Sequence, residues 1–162
     1  DVRVGSMVLN NHIRVTERKP LAHVASSYGF VEIDRQGMIL NAAKNLKGVN
    51  VPLITGARVG NLYVGDRIDM ALLKNAPAFL AALDEDALNA LSEIHVGGTE
   101  MLAYTVHSAT IRIGSGDRLP DKARLASSIL REIAEKKMNV EYVDLNYASP
   151  FIKLRPGKRE GG

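Results

Sequence analysis

The sequence predicts an α+β fold: a largely antiparallel or mixed β-sheet with helices packed on it and an open edge strand at its C-terminal end. Three observations carry this expectation. Short stretches with an apolar residue at every second position recur along the chain, which is the period of a half-buried strand. Leu125, Ala126, Ile129, Leu130, Ile133 and Ala134 place an apolar stripe at helical spacing. The segments also follow the order hairpin, helices, hairpin, helix, strands, which is not strict β-α-β repetition.

The 162 residues suffice for one ordinary domain or two small ones, and 46% apolar with 24% charged residues is a globular balance. The longest apolar run, near Ala76 to Leu83, is too short to span a bilayer. The chain has no cysteine, which removes disulfide and thiol chemistry. The net charge of +3 is mild, and the basic residues are scattered apart from Lys153, Arg155, Lys158 and Arg159. With three Phe, five Tyr and no Trp, an aromatic platform for stacking bases is not expected.

Taken in order, Val2 to Val4 and Val8 to Thr16 read as two strands, although Gly5-Ser6-Met7 reads equally as a cloning junction or as native sequence. Glu17-Arg18-Lys19-Pro20 is a charged break, and Leu21 to Ala25 is a further strand. Gly29 to Leu40 reads as a hairpin turning at Asp34-Arg35-Gln36-Gly37, where Gly37 suits a left-handed position. Asn41 to Asn50 reads as a polar loop, Val51 to Gly56 as a short apolar segment, and the following stretch to Asp66 as an exposed connection. Asp69 is placed to cap a helix from Met70. Pro77 inside that segment requires a kink or two helices, the second being Glu85 to Leu91 capped by Asp84. Ser92 to Val96 returns to strand. Met101 to Val106 and Thr110 to Ile113 form a second hairpin, and Pro120 fits the first turn of the striped helix.

The densest strand signal closes the chain, from Val140 to Arg155. Val143, Leu145 and Tyr147 alternate with Asp144 and Asn146, which predicts a strand over Val140–Tyr147. Pro150 interrupts it, and proline belongs at edges or at the start of a strand. Beyond it, Ile152 and Leu154 fall on one face and Phe151, Lys153 and Arg155 on the other. Ala148-Ser149 is a poor two-residue turn, so a hairpin and a kinked continuation both remain open. Two uses of such an edge also remain open: charges that keep other chains away, or a ladder to which a partner adds a strand.

Nothing in the sequence assembles a reaction centre. His12, His23, His95 and His107 lack metal-ligand spacing. Ser115 between Gly114 and Gly116 is not a nucleophile elbow. Asp117 and Asp121 would repel a phosphate at the following helix start. Asp84-Glu85-Asp86 is accounted for by the dipole of the helix it begins. No cofactor or metal is expected.

Four motifs in order carry a resemblance. Ile13 to Ala22 reads IRVTERKPLA, Val31 to Ile39 reads VEIDRQGMI, Val51 to Gly56 reads VPLITG, and Tyr142 to Tyr147 reads YVDLNY after Ile111-Arg112-Ile113-Gly114 and the helix. Together they resemble the extracytoplasmic part of the FtsQ/DivIB bacterial cell-division proteins. The resemblance implies that residues 1–20 are the last strands of a POTRA-like domain, residues 21–155 an FtsQ/DivIB-like β-domain and residues 156–162 a basic tail. It implies a non-enzymatic, membrane-anchored divisome scaffold that binds FtsB/DivIC-type and FtsL-type partners by strand addition beside the last strand. Carried onto this sequence, the docking site comprises Asn146, Tyr147, Ser149, Phe151, Ile152, Lys153 and Arg155. Tyr147 matches the tyrosine of the family's closing motif, and Asn146 stands where the family frequently has arginine. A cell-wall polymer hydrolase or transferase and a POTRA-like chaperone module are the competing readings.

Overall fold

The computed structural model describes residues 17–48 and 50–157. The expected strands before Thr16, and with them most of the POTRA-like remnant, lie outside the described residues, as does most of the tail.

Among the described residues, nine strands form one sheet. They are β1 (Ala22–Ser26), β2 (Gly29–Ile33), β3 (Ile39–Ala43), β4 (Leu53–Arg58), β5 (Leu91–His95), β6 (Met101–Thr105), β7 (Thr110–Gly114), β8 (Val140–Asp144) and β9 (Phe151–Leu154), in the order β3-β2-β1-β4-β5-β6-β7-β8-β9. Five neighbouring pairs are antiparallel; β1/β4, β4/β5 and β7/β8 are parallel. Three helices, α1 (Ala76–Ala82), α2 (Glu85–Ala90) and α3 (Leu119–Lys136), complete the α+β architecture. Helices link β4 to β5 and β7 to β8, as a parallel crossover requires.

The register explains why one face is buried. Val31, Val24, Ile54, Ile94, Ala103, Ile111, Val143 and Ile152 are cross-strand partners in one continuous row. They share the core with Phe79, Leu80, Ala126 and Leu130 of the helices. The next row holds Glu32, His23, Leu53, Glu93, Tyr104, Thr110, Tyr142 and Lys153. Its side chains face away from the helices, as the period of two demands.

Local chemistry places the breaks. In the first hairpin the Asp34 carboxylate accepts the backbone amides of Gln36 and Met38, both at 2.9 Å, and the Arg18 guanidinium at 2.7 Å. Gly37 has φ +79°, the left-handed position expected of it. The segment predicted to be a helix from Met70 is a 3₁₀ turn, Met70–Leu73, with the Asp69 carboxylate accepting from Ala71. The chain then reverses at Lys74, and Pro77 falls in the first turn of α1, where its missing N–H costs nothing. Asp84 caps α2 by accepting the Ala87 amide at 2.8 Å. The expected loop from Asn41 begins later, because β3 runs to Ala43 against β2.

At the C-terminus the predicted strand over Val140–Tyr147 is too long. β8 stops at Asp144, whose carboxylate turns back to accept the amide of Asn146 at 2.9 Å. A side chain that bonds the backbone two residues on competes with the ladder and starts a turn. Asp144 is buried although its register puts it on the face away from the helices, beside Arg112 and Phe151. Leu145 to Pro150 then reverse the chain, and β9 returns antiparallel to β8. The hairpin is the arrangement adopted.

Candidate partner-docking edge

Among the described residues β9 is the last strand of the sheet, with a neighbour on one side only. The opposite edge differs. There the amide of Ile39 donates to Asp66 O at 2.9 Å and that of Gly65 to Ile39 O at 2.9 Å, so the following segment covers the start of β3. Among the described residues, nothing comparable lies along β9.

The direction of the free groups follows from the ladder. The Arg155 amide donates to Asn139 O at 2.9 Å, toward β8. Strand alternation turns the amides of Leu154 and Ile152 the other way, into solvent. Pro150 precedes the strand and withholds no donor from it.

The side chains divide by face. Ile152 pairs with Val143 and packs half-buried against the core. Leu154, expected on the same face, is 53% exposed. The β8 bulge between Val140 and Tyr142 shifts its register there. On the face away from the helices, the Phe151 ring lies 5.9 Å from that of Tyr142, and the Lys153 ammonium sits 5.9 Å over the same ring. Lys153 also pairs with Glu141 at 3.3 Å. Tyr147 and Phe151 are 63% and 52% exposed, an unusual outlay of aromatic surface at one corner.

Several of the residues singled out from sequence have intramolecular tasks. The Asn146 side-chain amide donates to Asp144 at 2.8 Å. It also lies against the backbone of Gly114 (φ +76°), where a Cβ would come within 1.9 Å of Asn146 Oδ1. The Arg155 guanidinium donates to Ser108 O. Ser149 is exposed in the turn. Tyr147, Phe151 and Ile152 are thus the members brought to the edge without a polar tie of their own side chains. Arg112, not singled out from sequence, reaches Asp144 at 3.7 Å and Glu100 at 3.8 Å on the open face; its place between Ile111 and Ile113 in an alternating strand puts it there.

The family model described as cell division protein FtsQ/DivIB, C-terminal, matches residues 22–146. The chain belongs to the FtsQ/DivIB family. Cell division protein FtsQ of Geobacter sp. (strain M21) is 29% identical over 145 residues, which is 86% of this chain and 52% of the relative. The chain therefore spans about half the length of that curated relative. The fold matches the major extracytoplasmic domain of the trans isomer of the bacterial cell division protein DivIB from Geobacillus stearothermophilus. The TM-score is 0.50 and the identity 19%, over 74% of this chain and 94% of that one. The fold expected from the resemblance is thus the fold found. In this FtsQ/DivIB member the matched residues stop at Asn146, so Tyr147 and β9 lie just past them.

Most of the residues weighed for chemistry are engaged in structure, and His12 lies outside the described residues. Asp84 caps α2 and pairs with Arg131 at 2.8 Å. The Ser115 hydroxyl donates to Asp117 at 2.5 Å. That bond and the Lys122 ammonium hold the Asp117 carboxyl far below the usual carboxylate range. His23 lies 3.6 Å from Glu32. Burial pushes its imidazole pKa down, and the nearby Glu32 charge offsets only part of that. The Thr55 hydroxyl donates to Glu93 at 2.5 Å and lies 2.9 Å from His95 Nδ1. Among the described residues no three His, Asp or Glu groups converge as metal ligands, and no helix is long and apolar enough to cross a membrane.

Proposed function

We propose that this chain is a non-enzymatic scaffold of the division machinery that binds an FtsB/DivIC-type partner by strand addition along β9. The single observation that carries the proposal is the last place of β9 in the sheet, with the Ile152 and Leu154 amides turned outward. Main-chain bonds to an added strand supply affinity, and side chains at alternate positions supply specificity. Phe151 and Tyr147 offer apolar contact, and Lys153 offers charge. An FtsL-type protein joins the same assembly. The full-length protein is anchored in the cytoplasmic membrane, with this region on the extracytoplasmic side and enriched at the division septum.

The test is a pull-down with DivIC-type and FtsL-type ectodomains. Leu154→Pro removes an outward donor from an exposed position, and Tyr147→Ala removes exposed aromatic surface. Both variants are expected to fold and to lose the DivIC-type partner. Wild-type capture by both variants would put the docking site elsewhere.

A further inference from the structure

Below the C-terminal end of β9 lies an open hollow of about 490 Å³ between the end of α3 and the turn that joins β6 to β7, a size within the range of sites that enclose ligand groups. Its origin is readable in the residues. Ala90, Ala109 and Ala134 meet there, and their side chains are too short to fill the space left where α3 ends at Lys136. Leu130, Ile133 and Met138 supply its apolar walls. The charged and titratable residues among its lining are Lys137 and His107, with no carboxylate between them.

Asn139 lines this hollow and also accepts the Arg155 amide at 2.9 Å. The hollow therefore adjoins the end of the open edge. The Arg155 guanidinium, bonded to Ser108 O beside His107, adds a further positive charge to that corner.

We infer that the hollow seats an apolar side chain from an acidic segment of the same polypeptide that adds its strand to β9. The inference rests on the strand-addition reading. The apolar walls select the anchor, and the one-signed rim selects carboxylates beside it.

The experiment measures binding of the DivIC-type ectodomain to this chain by calorimetry, at low and high salt. Ala134→Trp fills the hollow from an exposed position of α3, and Lys137→Glu reverses the rim. Circular dichroism confirms folding of both. Ala134→Trp is expected to weaken binding about tenfold or more. Lys137→Glu is expected to weaken it at low salt and to lose most of that effect at high salt. If both bind as wild type while Leu154→Pro abolishes binding, the inference is overturned and strand addition stands. If Leu154→Pro binds as wild type, strand addition falls, and the inference built on it falls with it.

Discussion

Buried or half-buried polar groups at the margins of the sheet have definite partners, and their removal has definite signs. The Lys122 ammonium is buried and donates to Ile113 O at 2.7 Å, Ser115 O at 3.2 Å and Asp117 at 3.1 Å. It thereby ties the loop after β7 to α3. Lys122→Met strips two carbonyls of their donor, and urea unfolding is expected to show a loss of about 1–3 kcal/mol. Gly114→Ala strains a left-handed backbone and collides with Asn146. It is expected to cost more than about 1 kcal/mol by the same measurement. His23 sets a pH dependence. Its folded pKa lies below the unfolded value, so the unfolded chain binds the proton first. The stability from keeping His23 neutral is fully present above the unfolded pKa, about 6.5. It is lost as pH falls through the depressed folded value. Thermal unfolding from pH 7.5 to 5 is expected to show a falling Tm that His23→Gln flattens. Asp34 acts in a lower window. Burial alone would raise its pKa, but the Arg18 bond and the amides of Met38 and Gln36 outweigh burial and hold it below the ordinary carboxylate value. Its contribution is present above about pH 3.9 and is lost on further acidification.

At the scale of elements, caps and edges decide where the chain turns. Asp84→Ala removes the α2 cap together with its pair to Arg131, and a loss of about 0.5–2 kcal/mol is expected in chemical denaturation. Most elements were legible in the sequence for such local reasons. Asp69 and Asp84 mark the starts of helical turns, Gly37 marks a left-handed turn, and the α3 stripe faces the core from Leu125 to Ile133 as its spacing predicts, with Ala134 exposed. Where the sequence misled, side chains competed with the backbone or a strand lay at an edge. Alternation through Val143, Leu145 and Tyr147 argues for a long strand, yet Asp144 takes the Asn146 amide and ends it. Asn41, Ala42 and Ala43 read as loop because an edge strand exposed at its end needs no apolar pattern. Leu154 reads as sharing a face with Ile152, yet it is exposed where the register with β8 shifts between Val140 and Tyr142. Neither bulges nor long-range pairings leave a mark in local periodicity.

At the scale of the molecule, the parallel pairings are what no local pattern could supply. Two of the three arise because α1 and α2 carry the chain from β4 to β5, and α3 carries it from β7 to β8; the third, β1/β4, forms after the chain has passed through β2 and β3. Stacking the helices on one face buries the row from Val31 to Ile152 and, among the described residues, leaves the other face and the β9 edge uncovered. The candidate site was accordingly legible as a position, the C-terminal edge, through family resemblance and through Pro150. The engagement of Asn146 and Arg155 within the chain was not legible, since Gly114 and Ser108 are far from them in sequence. The central claim is that a partner strand completes the sheet at β9, and hydrogen exchange of the Ile152 and Leu154 amides with and without the DivIC-type ectodomain tests it most directly. Both amides are predicted to exchange rapidly in the free chain and to become strongly protected in the complex. A complex that forms while these two amides keep their free exchange rates would contradict it.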